Sequence, residues 1–254
     1  MTSVILEKIL IVAGVYLDSI MLFSMIILVA SILQTSTGFG FSIMATPFLL
    51  LLFEPRDAIQ INLILSLVIS ASLLMTIKKD IDTGILKRFV VGSLAGLPIG
   101  MAIFSMLDMT LLKLGVSVLI LALTVLLMLK FRIRGSQKRD VGAGGLSGAF
   151  TTSIGMPGPP LLLYFSGTDA TKEKLRGTTL AFYLWIYAIS LLIQVMFAGT
   201  SLEIWKSSAT GLPIVIIGLF LGQILFRWIN QDLFRKLTYA LLLFTGIYLL
   251  LQQL

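Results

Sequence analysis

Six uninterrupted apolar runs constrain this chain more than any other feature; they lie near residues 57–77, 89–107, 109–129, 175–199, 207–226 and 237–254. About 20 apolar residues in a row make a helix that crosses the hydrocarbon of a bilayer. Inside that hydrocarbon every backbone N–H and C=O must be satisfied within its own segment, so the spans are helices. With 57% hydrophobic and 12% charged residues over 254 positions, the chain has lipid rather than water as its solvent. The expected fold class is all-α, a polytopic membrane protein. Two further apolar stretches, 20–53 and 141–168, are too long for one span and are interrupted in the middle.

The N-terminus does not read as a cleavable signal, because Glu7, Lys8 and Asp18 break up its apolar residues; residues 3–17 are expected to form an interfacial or short helix. Cysteine and histidine are both absent, which leaves no disulfide framework and no cysteine or imidazole metal site, and no cofactor or metal is expected. The net charge of +7 reports topology, not nucleic-acid binding. Basic residues concentrate in four connections: Lys78 to Arg88, Lys130 to Arg139, Lys172 to Arg176, and Arg227 to Lys236. By the positive-inside rule these connections are cytoplasmic, while those holding Arg56, Lys113 and Lys206 face outward. Residues 140 and 170 then lie on the same side, so segment 141–168 is a re-entrant helical hairpin or two short spans. Its counterpart in the first half ends at Glu54 to Asp57 on the opposite face.

Internal similarity supports two inverted halves. Gly96-Leu97-Pro98-Ile99 recurs as Gly211-Leu212-Pro213-Ile214, and Thr35-Ser36-Thr37-Gly38 recurs as Thr151-Thr152-Ser153-Ile154-Gly155 at nearly the same offset. Inverted repeats around a midplane site are a recurring transporter architecture. The expected organisation is an N-terminal segment 1–18, a first repeat 19–131, a basic linker 132–140 and a second, inverted repeat 141–254, each repeat having a broken helical hairpin plus three transmembrane helices. The glycine spacing at Gly92, Gly96 and Gly100, and at Gly144 and Gly148, reads as close helix packing in lipid.

The two breaks hold the candidate site. Glycines permit the turn near Gly38 and Gly40, and Gly155-Met156-Pro157-Gly158-Pro159-Pro160 continues no helix. The half-segments around Gly38 to Gly40 are about 14 residues each, roughly 20 Å of helix, too short to cross the hydrocarbon alone, and are expected to meet near the membrane middle. Gln34, Thr35, Ser36, Thr37 and Ser42 in one half, and Thr151, Thr152 and Ser153 in the other, are neutral hydrogen-bonders. A new helix starts after each break, near Phe41 and near Pro159, and its free N–H groups and positive dipole end suit an anion. The expected substrate-binding set adds the glycines Gly38, Gly40, Gly155 and Gly158. Arg176, beginning a helix just before Gly177 and Thr178, either reaches toward an anion at the cytoplasmic mouth or is an ordinary positive-inside residue, and Asn62 with Gln60 at the matching helix start of the first half would add hydrogen bonds. The competing assignment for the hydroxyls is that they satisfy backbone freed by the breaks.

At these residues the chain resembles the sulfite exporter family of TauE/SafE type, through Thr37-Gly38-Phe39-Gly40 with Thr46-Pro47-Phe48-Leu49, and Ser153-Ile154-Gly155 with Pro159-Pro160-Leu161-Leu162. The likeness covers residues 19–254 and includes Arg176-Gly177-Thr178. It implies a multi-pass protein of the bacterial cytoplasmic membrane that exports small sulfur-containing anions such as sulfite or sulfoacetate. The expected partners are a small anionic substrate and the lipid bilayer, with homo-oligomerisation left open. The first break departs from the family pattern in being less glycine-rich and preceded by Gln34-Thr35-Ser36.

Gly145-Leu146-Ser147-Gly148 matches the nucleophile motif of rhomboid-type intramembrane proteases, but a serine nucleophile needs a base and the chain has no histidine, so no enzyme activity is expected. A passive anion channel is the stronger rival, because pores also use helix starts and hydroxyls. The helix interiors hold no obvious acidic proton relay. Electrogenic anion efflux fits that absence.

Overall fold

The computed structural model describes residues 2–106, 136–168 and 170–228, with scattered positions between 111 and 125 and between 230 and 251. Among these the chain is helical and has no strand. Eight α-helices carry the argument: α1 (Thr2–Thr37), α2 (Phe41–Leu49), α3 (Pro55–Ile77), α4 (Thr83–Met106), α5 (Gln137–Ile154), α6 (Gly158–Gly167), α7 (Lys172–Ala198) and α8 (Leu202–Trp228). Five segments are long and apolar enough to cross a bilayer: Ser19–Thr37, Pro55–Asp80, Thr83–Met106, Lys172–Ala198 and Leu202–Trp228. Four of the six expected spans are among them. The other two, 109–129 and 237–254, lie outside the described residues except at scattered positions, and so do residues 132–135 of the linker.

Polar and apolar residues are distributed the opposite way from a water-soluble domain. Gln34, Asn62, Ser66, Ser70 and Gln194 are fully buried, while Met196, Phe197, Phe220 and Trp228 are exposed. Hydrocarbon accepts the exposed apolar side chains at no cost, whereas a polar group facing it would lose its hydrogen bonds. Polar residues are therefore gathered inside.

Two expectations about length need correction. The N-terminal segment is no separate helix: α1 runs unbroken from Thr2 to Thr37. The arms of the breaks are also unequal, with a 19-residue span Ser19–Thr37 before the first break but only 9 residues in α2, and 18 residues in α5 against 10 in α6. The turn is set by glycines at positive φ, Gly38 (84°) and Gly40 (119°) in one half and Gly155 (71°) in the other, where a side chain would be strained. The break falls at Gly38 and Gly40 as expected, and its second arm is short because Leu50–Phe53 is spent on a second turn before Pro55 starts α3.

Helix packing has a regular exchange pattern when α1, α2, α3 and α4 are matched with α5, α6, α7 and α8. Helix α1 lies on α8 as α5 lies on α4; α3 lies on α8 as α7 lies on α4; and α3 with α7, and α2 with α6, pair with each other. Small residues set the α4–α5 approach. A Cβ on Gly92, Gly96 or Gly100 would collide with the carbonyls of Val141, Gly145 and Ala149 respectively, one turn apart each time. Backbone carbonyls cannot step aside as a flexible side chain can. Helices that meet this closely in lipid are held by dispersion and Cα–H···O contacts, since lipid supplies no hydrophobic drive between them. Gly96→Leu is expected to overpack this seam and to destabilise the protein by about 1–3 kcal/mol, read as a lower unfolding midpoint in detergent; Gly142→Leu, where a Cβ meets nothing within 4 Å, is expected to leave it unchanged.

Candidate functional site

The starts of α2 and α6 come together. A Cβ on Gly158, the first residue of α6, would lie 3.0 Å from the Ile43 side chain of α2 and 3.1 Å from the Tyr183 hydroxyl of α7. One turn along α7, the Tyr187 hydroxyl lies 2.6 Å from Ser42 Oγ, and the two tyrosine rings are 5.0 Å apart between centroids. Neither short helix has a side-chain cap. At α2 the N–H groups of Phe41 and Ser42 stand in the first turn, ahead of the bond from Met44 N to Gly40 O. At α6 the sequence Gly158-Pro159-Pro160 offers one N–H where three residues would normally offer three. Donors at the convergence are thus unequal, and the phenolic hydroxyls of α7 stand where the prolines leave a shortfall. Sequence reasoning missed both tyrosines, since a Tyr at helical spacing in an apolar run reads as core.

The hydroxyls expected to hold substrate have other duties in this structure. Ser36 Oγ donates to Ile32 O (2.7 Å), Thr37 Oγ1 to Leu33 O (2.6 Å), Thr151 Oγ1 to Ser147 O (2.5 Å), Thr152 Oγ1 to Gly148 O (2.8 Å) and Ser153 Oγ to Ala149 O (2.7 Å). Thr37 Oγ1 also makes a close contact with Phe39 O. These are bonds back to the preceding turn, which occupy the one proton each hydroxyl has. Thr35 differs: its Oγ1 is buried without a partner. Ser147, the serine of the protease-like motif, donates to Pro157 O across the second break (2.9 Å), a structural bond.

Long polar side chains tie the breaks to α3 and α7. Asn62 of α3 donates to Gly155 O in the second break (2.8 Å), and Arg176 of α7 donates through Nε to Thr35 O beside the first (2.7 Å). Each spanning helix thus holds the break belonging to the other half. Within the halves, Gln34 donates to Ser66 O (3.1 Å) and Gln194 to Thr152 O (2.7 Å). Gly38 has no room for a side chain because a Cβ there would lie 2.7 Å from Arg176 Cα. Both breaks are sealed: Gln34 through Ile43 and Thr151 through Leu162 are buried throughout.

The antiparallel pair α3–α7 is clasped at both ends. At the lysine-rich end, Lys174 Nζ pairs with Asp82 Oδ2 at 2.9 Å and Thr178 Oγ1 accepts from Asp82 N at 2.9 Å. At the other end, Gln60 donates to Gly199 O (2.7 Å) and Arg56 to Ala198 O (3.2 Å). Thr178 and Gln60, expected near substrate, serve these clasps instead. Among the described residues no cluster of acidic side chains is suited to a metal ion.

The model of the family described as Sulfite exporter TauE/SafE matches residues 23–249. The chain belongs to this TauE/SafE family. It is a membrane protein of a transporter family, and the breaks, the proline-bearing helices α4 and α8 and the Arg176 segment all fall inside the matched region. No curated protein and no solved structure matches the chain.

The Asp82 carboxyl is held below its ordinary value of 3.8, chiefly by the hydrogen bond from Lys174 and then by the Ile85 N–H it accepts at the start of α4. A depressed carboxyl contributes stability above its ordinary pKa and loses it as pH falls through the lower folded value. The pair is partly exposed, so the contribution is about 1 kcal/mol or less. Asp82→Asn is expected to unfold slightly more easily than the parent at neutral pH, with the gap closing in unfolding scans run below pH 3.8.

Proposed function

We propose that this TauE/SafE family member exports a small anion, sulfite or an organosulfonate such as sulfoacetate, by alternating access across the bacterial cytoplasmic membrane. The observation that carries the reading is the convergence of two helix starts without side-chain caps, at Phe41 and at Gly158, on the Ser42–Tyr187 hydroxyl pair. Helix starts present N–H groups and a positive dipole end, worth most where water is excluded. The Ser–Tyr pair has two protons, and Ser66 stands as a second partner of the Tyr187 hydroxyl, so a ligand entering here exchanges one hydroxyl bond for its own.

The α3–α7 clasps supply the two gates. With the lysine-rich connections cytoplasmic, the Asp82–Lys174 clasp closes the inner path and the Gln60–Gly199 clasp the outer one. Release of one while the other holds opens the site to one side at a time. The exchange pattern of helix contacts supports two inverted halves that rock about the breaks. The inside-negative potential drives a monoanion outward by about 2.3 kcal/mol per 100 mV, enough to power export without an acidic proton relay.

Purified protein in proteoliposomes is expected to move sulfite or sulfoacetate with a saturating rate that rises with an imposed potassium-diffusion potential. Tyr187→Phe is expected to raise the half-saturating concentration about tenfold, the equivalent of one hydrogen bond to a charged ligand. Single-channel currents that grow linearly with anion concentration would instead establish a passive pore.

A further inference from the structure

A buried positive charge that makes no ion pair among the described residues, with Asp80 acting on it only through space, stands beside the first break. Arg176 is 5% exposed, and its Nη2 is buried with no hydrogen-bond partner. Its Nε is committed to Thr35 O at 2.7 Å, and its guanidinium lies over the Phe226 ring, 4.2 Å from the centroid. Lys172, one turn earlier on α7, faces the same ring at 4.8 Å and donates to Phe226 O at 3.3 Å. Asp80 packs against Gly177, yet no carboxylate forms an ion pair with Arg176 among the described residues. Two more unpartnered donors belong to the same neighbourhood: Thr35 Oγ1, on the residue whose carbonyl Arg176 holds, and Thr179 Oγ1, three residues along α7 from Arg176 and therefore on the same face.

Burying a guanidinium inside a membrane protein is strongly unfavourable unless a charge or a full set of acceptors compensates it. A carbonyl and an aromatic face compensate in part; the free Nη2 faces no acceptor. A guanidinium has planar N–H donors that match two oxygens of one oxyanion, which a lone ammonium does not. We infer that Arg176 Nη2, with the hydroxyls of Thr35 and Thr179, is a contact for an oxyanion at the basic end of the first break, a loading position ahead of the convergence of α2 and α6. The inference rests on the proposed reading that the breaks serve an anion. It adds a charged contact that distinguishes an oxyanion from a neutral solute of the same size. The oxyanion is either free in solution or the phosphate of an anionic lipid headgroup.

The test is equilibrium binding to the full chain in phosphatidylcholine nanodiscs, with sulfite as probe and thermal stabilisation as readout. Arg176→Gln can still donate to Thr35 O, and Thr35→Val removes the hydroxyl while leaving its main-chain carbonyl; both are expected to bind sulfite about tenfold more weakly while melting near the parent temperature without it. Arg176→Lys keeps the charge without the planar donors and is expected to fall between. Should Arg176→Gln fail to fold, Thr35→Val and Arg176→Lys decide, and parental affinity in both overturns the inference. It is equally overturned if Arg176→Gln melts earlier but keeps parental affinity, which makes Arg176 only a brace for the break. Stabilisation by phosphatidylglycerol that depends on Arg176, with no effect of sulfite, identifies the oxyanion as a lipid phosphate. Tyr187→Phe separates this inference from the reading beneath it. Loss of affinity in Tyr187→Phe but not in Arg176→Gln removes Arg176 and leaves the converging helix starts; the reverse removes the helix starts and leaves Arg176.

Discussion

The structure depends on one constraint: a polypeptide broken inside a membrane must find partners for the backbone groups that the break frees. Both breaks meet it in the same way. Each first arm closes on a glycine at positive φ, hydroxyls in its last turns bond back to the carbonyls they follow, and a long polar side chain from the other half takes a carbonyl at or beside the turn. Asn62 and Arg176 are thus structural before anything else. By reaching across, they fix each break against the helix of the opposite half, and so bring the two short helices to one place.

That placement links packing to function. The glycine seam lets α4 and α5 approach to backbone contact, which leaves α5 ending where α3 can reach it through Asn62. On the other side α8 lies on α1, where Gly222 has no room for a side chain against Thr35 and the Ile32 carbonyl. With both long arms pinned, α2 and α6 start against each other and against Tyr183 and Tyr187. Nothing in that region needs a metal or a strong acid. What it offers is hydroxyl and amide protons, two helix starts and one guanidinium, a set suited to an anion.

Much of this was legible in the sequence because it follows from composition and punctuation. Apolar runs marked four of the spans found, and glycine and proline marked the breaks. The fine chemistry was less legible. Whether the hydroxyl of Thr37 or Ser153 faces a ligand or its own helix is a rotamer choice among neighbouring acceptors, and no spacing rule decides it. Tyr187 meets Ser42 across 145 positions of chain, a contact made by tertiary packing alone. Arg176 stood out as a basic residue at a helix start, but its solitude is a property of the folded surroundings.

The central claim is that the breaks exist to bring two helix starts around an anion. Selenite, the selenium counterpart of sulfite, tests it most directly, because anomalous scattering locates selenium in a crystal of the lipid-reconstituted protein without ambiguity. The account predicts an anomalous peak beside Ser42 and Tyr187, with the selenite oxygens in hydrogen-bonding reach of both hydroxyls. A peak confined to the outer surface, with the convergence of α2 and α6 empty at saturating selenite, would contradict it.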